Sequence, residues 1–106
     1  MTSSATAVVE VCAALADETR WQILQSVGEQ ALSASELAER MPISRQAIAR
    51  HLAVLAHAGL VEPEQAGRQL RYRAVGGRLS ELARQLETIG LGWQRRLSAI
   101  KAIAES

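Results

Sequence analysis

Between Ser33 and Gly59 the chain spells two short helices separated by a tight turn, and no other feature limits its fold as much. Ser33 and Glu36 have S-x-x-E spacing, in which a hydroxyl and a carboxylate each take a free backbone N–H at a helix start. The helix they open carries Leu37 and Ala38 and stops near Met41, because Pro42 disfavours helical geometry in the residue before it. Pro42-Ile43 turns the chain. Ser44 then caps a second helix, which runs to about Ala58 and is closed by Gly59. Two helices joined so closely make a helix-turn-helix over residues 33–58.

At 100° per residue the second helix has two distinct sides. Ile48, Leu52 and Leu55 face the core, with His51 toward their flank. Gln46, Arg50 and Ala53 face outward with Ala49 beside them, and His57 lies two turns further along. Alanines keep that outer face slim enough to approach base edges. Gln bonds adenine bidentately, and Arg bonds guanine or a phosphate. Ser44 and Arg45 stand at the helix start, where free amides favour an anion.

After Gly59 the period changes to that of strands. Leu60–Glu64 and Gln69–Val75 read as a hairpin through residues 65–68, with Pro63 placing the first strand at an edge. Leu70, Tyr72 and Ala74 make an apolar side, and Gln69, Arg71 and Arg73 a basic one, with Arg68 at the tip. Arginines around such a tip suit contacts to a nucleic-acid backbone. The expected fold is therefore mainly α with a small β-hairpin. It is one winged helix-turn-helix domain over residues 1–106, with five helices and a two-stranded wing over 60–75.

The remaining helices flank this unit. Residues 5–16 place Val8, Cys12 and Leu15 on one face, so the single cysteine reads as a small buried apolar residue. Asp17 caps a helix with Trp21, Leu24 and Val27 inward, Arg20 and Gln25 outward, and Gly28 at its end. Residues 78–104 carry Leu79, Leu82, Leu86, Ile89, Trp93, Leu97 and Ile100 at 3/4 spacing, extended by Ile103. Gly90 and Gly92 interrupt that stripe and mark a kink or a close helix approach. A domain this small cannot bury so much apolar surface alone. The faces of Val8, Cys12, Leu15, Leu86, Ile89, Trp93, Leu97 and Ile100 are read as the interface of a homodimer.

Charge supports a nucleic-acid partner by its distribution rather than its sum, since the net charge is only +1. Residues 1–43 hold Arg20 and Arg40 against six acids, whereas residues 44–73 hold Arg45, Arg50, Arg68, Arg71 and Arg73 against Glu62 and Glu64 alone. One cysteine, and two histidines about 120° apart on one helix, make no metal site, so neither metal nor cofactor is expected. No Gly-rich phosphate loop or catalytic set is present, so an enzyme is not expected either. No apolar run spans a bilayer and no signal peptide opens the chain, which places it in the cytoplasm. A winged helix used only for protein–protein contact is the alternative, and the basic strand and slim outer face weigh against it.

The segments ALADETRWQIL, SASELAERM, ISRQAIARHLAVLAHAGLV and GRQLRYRA resemble the ArsR-type winged-helix regulators over about residues 13–75, and GWQRRLSAI resembles the last helix of a metal-free branch. The resemblance implies a bacterial homodimer that represses transcription at an inverted repeat of double-stranded DNA. It maps DNA-reading positions onto Arg45, Gln46, Ala49 and Arg50. Ala49 stands where the family often has a small hydroxyl residue. The metal-sensing branches do not carry over: Leu37-Ala38-Glu39-Arg40 lacks their thiol, and no His follows His57. The sequence does not identify an inducer.

Overall fold

In the computed structural model, which describes residues 4–105, the elements run in the order α1 (Ser4–Leu15), α2 (Glu18–Glu29), β1 (Leu32–Ser33), α3 (Ala34–Arg40), α4 (Arg45–His57), β2 (Val61–Ala66), β3 (Gln69–Ala74) and α5 (Gly76–Glu105). The expected five helices and hairpin are present. The hairpin gains a third strand: the sheet order is β1-β3-β2, all antiparallel, with Leu32 opposite Tyr72 and Ser33 opposite Arg71. Two residues make too short a run to show a period, which is why β1 has no sequence signal. Pro63 does lie in an edge strand, β2.

The local caps form as spelled. Ser33 Oγ accepts the Glu36 N–H at 3.1 Å, and Glu36 Oε1 accepts the Ser33 N–H at 3.0 Å, so α3 starts in a full capping box. Ser44 Oγ accepts the Ala47 N–H at 3.1 Å at the start of α4. At the other end of α4, Gly59 N–H donates to Ala56 O at 3.0 Å and Leu60 N–H to Leu55 O at 2.9 Å. That pair of bonds is a Schellman closure, and it requires the left-handed φ of +77° at Gly59. In the hairpin Ala66 faces Gln69, so the connection is two residues rather than four. Gly67 alone has positive φ there, the pattern of a II′ turn.

One core serves residues 8–82. Ile23, Leu24 and Val27 of α2, Leu37 of α3, and Ile48, Leu52 and Leu55 of α4 meet Leu32, Leu60 and Val61 from the strands. Val11 and Ala14 close it from α1 and Leu82 from α5.

Several expectations fail on which helix face turns inward. Cys12 is exposed rather than buried, because α1 packs through Val11 and Ala14, with Val8 and Leu15 partly buried beside them. Trp21 is exposed, because Ile23 joins Leu24 and Val27 on the face toward α4. Both faces obey 3/4 spacing, so periodicity could not choose between them. Gly28 does not end α2, which continues to Glu29. Arg20 turns back rather than outward: its Nε donates to Ala14 O at 2.6 Å and its Nη2 to Ala13 O at 3.4 Å. It thereby gives a donor to the Ala14 carbonyl at the end of α1 and a second one to the Ala13 carbonyl, which also accepts the Ala16 N–H at 3.3 Å.

α5 runs through Gly90 and Gly92 without a break. Only Leu82 is buried along its 30 residues. The distal part stands clear of the core, so the radius of gyration is 18.3 Å, against about 13 Å for a compact chain of this length. Among the described residues no helix is long and apolar enough to cross a membrane.

Candidate nucleic-acid interface

α4 is held from below and open above. Ile48, Leu52 and Leu55 are fully buried, which locks its rotation about its own axis. The same rotation leaves Arg45, Gln46, Ala49, Arg50 and Ala53 exposed. Ser44 holds the Ala47 amide, while Ser44 itself remains at the surface. All the positions assigned to the outer face of this helix therefore occupy one accessible side.

Between α4 and the wing lies an open groove of about 290 Å³. α4 supplies Arg45 and Ala49 to it, and the wing supplies Arg68, Gln69, Leu70 and Tyr72. The capped start of α3 supplies Ser33, Ala34 and Ser35. Two arginines from different elements thus flank a channel whose floor is largely apolar. Leu70, expected on the covered side of the hairpin, is 45% exposed and lines this groove, while Tyr72 and Ala74 do pack against the core. Leu70, Tyr72 and Ser35 are groove residues that the sequence reading did not assign. The alternation of β3 carried the signal for Leu70, but not the side of the sheet on which a groove would open.

The other two wing arginines sit differently. Arg73 Nη2 donates to Glu62 Oε2 at 2.6 Å across the β2–β3 ladder, where the two residues are register partners. Arg71 Nε lies 3.4 Å from Glu36 Oε1. The structure brings Arg45, Ala49 and Arg68 together around the groove and engages Arg71 and Arg73 in ion pairs.

Two carboxylates at helix starts have lowered pKa values. Ser33 N–H, followed by its hydroxyl and the Arg71 and Arg40 charges, holds the Glu36 carboxyl below its ordinary 4.5. Arg20 N–H, aided by the Arg20 and His51 charges, holds Asp17 below its ordinary 3.8. Both are structural acceptors at helix starts, in ionised form at neutral pH. His51 is partly buried and His57 exposed, and among the described residues no three His, Cys, Asp or Glu side chains gather as metal ligands.

Residues 15–64 match a helix-turn-helix domain family. The HTH-type transcriptional regulator Rv2034 of Mycobacterium tuberculosis is 34% identical over 93 residues, covering 88% of this chain and 84% of that protein. The solved structure of an ArsR-like transcriptional regulator from Rhodococcus sp. RHA1 superposes with a TM-score of 0.88 at 55% identity, over 97% of each chain. The cadmium metal-sensor CMTR of Mycobacterium tuberculosis superposes with a TM-score of 0.57 at 34% identity, over 72% of this chain and 75% of that one.

Proposed function

This chain belongs to the ArsR-like family of helix-turn-helix transcriptional regulators, and on that premise we propose that it is a homodimeric repressor reading an inverted-repeat DNA operator through α4. Its relatives are transcriptional regulators, not enzymes. The observation that carries the proposal is the rigid, two-sided presentation of α4. Ile48, Leu52 and Leu55 have no exposed surface, while Gln46 and Arg50 project from the opposite side beside the arginine-flanked groove. In this reading Gln46 and Arg50 meet base edges and Ala49 packs close by. Arg45, Arg68 and the α4 start at Ser44 meet phosphates. The protein works where the DNA is, in a bacterial cytoplasm.

Dimerisation is supported by the distal face of α5. Leu86, Ile89, Trp93, Leu97, Ile100 and Ile103 are each about half exposed or more. A contiguous apolar stripe of that length, exposed along the distal part of α5, fits a second copy. Cys12 and Val9 of α1 are exposed as well. A twofold dimer presents its α4 helices to half-sites about 34 Å apart.

The test is selection of duplexes from a random pool, followed by binding measurements on the recovered site. The expected site is an inverted repeat, and Arg50→Ala weakens binding to it by roughly 1–3 kcal/mol while flattening preference at one position per half-site. A recovered site without twofold symmetry, or an unchanged affinity, refutes the reading.

A further inference from the structure

Glu36 serves two elements at once. Its Oε1 accepts the Ser33 N–H at 3.0 Å, which closes the capping box of α3, and the same oxygen lies 3.4 Å from Arg71 Nε. Arg71 belongs to β3, where it is the register partner of Ser33 in β1. Its Nε is buried and makes no hydrogen bond. Such a group has lost its hydration, and the Glu36 carboxylate is the charge that compensates it. Glu64, the register partner of Arg71 in β2, adds a second acid on that side of the hairpin. Arg71 is therefore held at the root of the wing, against the first turn of α3. Arg68 is at the tip, free to face the groove.

We propose that Glu36 and Arg71 form a tether that sets the angle of the β2–β3 wing against the helix-turn-helix, which makes Arg71 a positioning residue for Arg68 rather than a phosphate contact. An ion pair half open to water adds little stability, but its geometry favours one arrangement of the two elements it joins, beside the core packing of Leu60, Val61 and Tyr72 at the base of the wing. The two-residue strand β1 offers only a short ladder to do the same work. The DNA arm of the test rests on the DNA-binding reading above; the tether itself does not.

Glu36→Gln separates the two duties of Glu36. A glutamine at this position still completes a capping box, yet loses the charge that holds Arg71. The probe is the duplex recovered by the wild-type protein from a random pool. Glu36→Gln and Arg71→Gln are each expected to weaken binding about as much as Arg68→Ala, on the order of tenfold at low salt. The effects do not add: in either background Arg68→Ala changes little further. Arg68→Ala with Arg71→Gln lowers the salt slope by about 0.9 per half-site, the value for one phosphate, rather than about 1.8. Arg71→Lys recovers part of the loss. If Arg71 contacts a phosphate, Glu36→Gln frees it and strengthens binding, and the Arg68 and Arg71 losses add; either result overturns the tether. A second readout needs no DNA. In the free protein, ¹⁵N order parameters of residues 66–69 fall in Glu36→Gln and Arg71→Gln but not in Arg68→Ala. Unchanged order parameters also overturn the tether. A wild-type protein that recovers no duplex would refute the DNA-binding reading and leave the relaxation measurement to decide the tether.

Discussion

α4 and the distal part of α5 are built from the same kind of stripe and put it to opposite use. In α4, Ile48, Leu52 and Leu55 vanish into the core of their own chain. In α5, Leu86, Ile89 and Trp93 follow the same 3/4 spacing and stay 54%, 68% and 57% exposed. An amphipathic pattern states that a helix has a covered side. It does not state which chain supplies the cover. In α4 the burial fixes a rotation, and so decides which side chains are turned outward. In α5 the exposure leaves a demand that a second copy meets in the proposed dimer.

The comparison can be broken most severely from the α4 side. Leu52→Ala removes a fully buried side chain and is expected to cost 2–5 kcal/mol, or roughly that range, in chemical denaturation. A loss below about 1 kcal/mol would mean that the core does not lock α4. On the α5 side, Trp93→Ala is expected to weaken self-association by about 2 kcal/mol, near thirtyfold, read by sedimentation over a concentration series. Its thermal midpoint should then depend less steeply on protein concentration. An unaltered association constant would place the dimer contact elsewhere. Ser44→Ala is a smaller change, expected to cost about 1 kcal/mol of stability by freeing the Ala47 amide. Loss of DNA affinity beyond the fraction unfolded would show that the start of α4 also holds a phosphate.

The smallest effect is a titration. Glu36 and Asp17 have carboxyls depressed in the folded state. Each therefore contributes stability that is present above its ordinary value and lost as pH falls through its folded value. Denaturation midpoints should start to fall below about pH 4.5, and Glu36→Gln, with one such carboxyl fewer, should flatten that decline. A decline of the same steepness in the variant would remove Glu36 from the acid response.

Legibility followed the range of the interactions. Ser33 with Glu36, Ser44 with Ala47, and Gly59 with Ala56 bond within a few residues, so their spacing alone announces the helix boundaries. The inward face of α4 was equally plain, since Ile48, Leu52 and Leu55 all fall on one side. α1 and α2 each offer two adjacent apolar faces, and the choice of Val11 over Cys12 or Ile23 over Trp21 was made by what packs against them. The groove was half legible. Arg45, Ala49 and Arg68 were named from their elements, whereas Leu70 and Tyr72 became groove residues only when the wing folded back beside α4.

The sequence by itself determined two capped helices around a tight turn, a basic hairpin and a long apolar stripe at the end, because those signals are short-range hydrogen bonds and periodicities. Tertiary structure alone decided that Arg20 closes α1, that Leu32 and Ser33 join the sheet, and that Arg71 and Arg73 meet Glu36 and Glu62. Those partners lie on separate elements of the fold. Which acid an arginine finds there is set by how packed elements stack, and spacing along the chain carries no record of that choice.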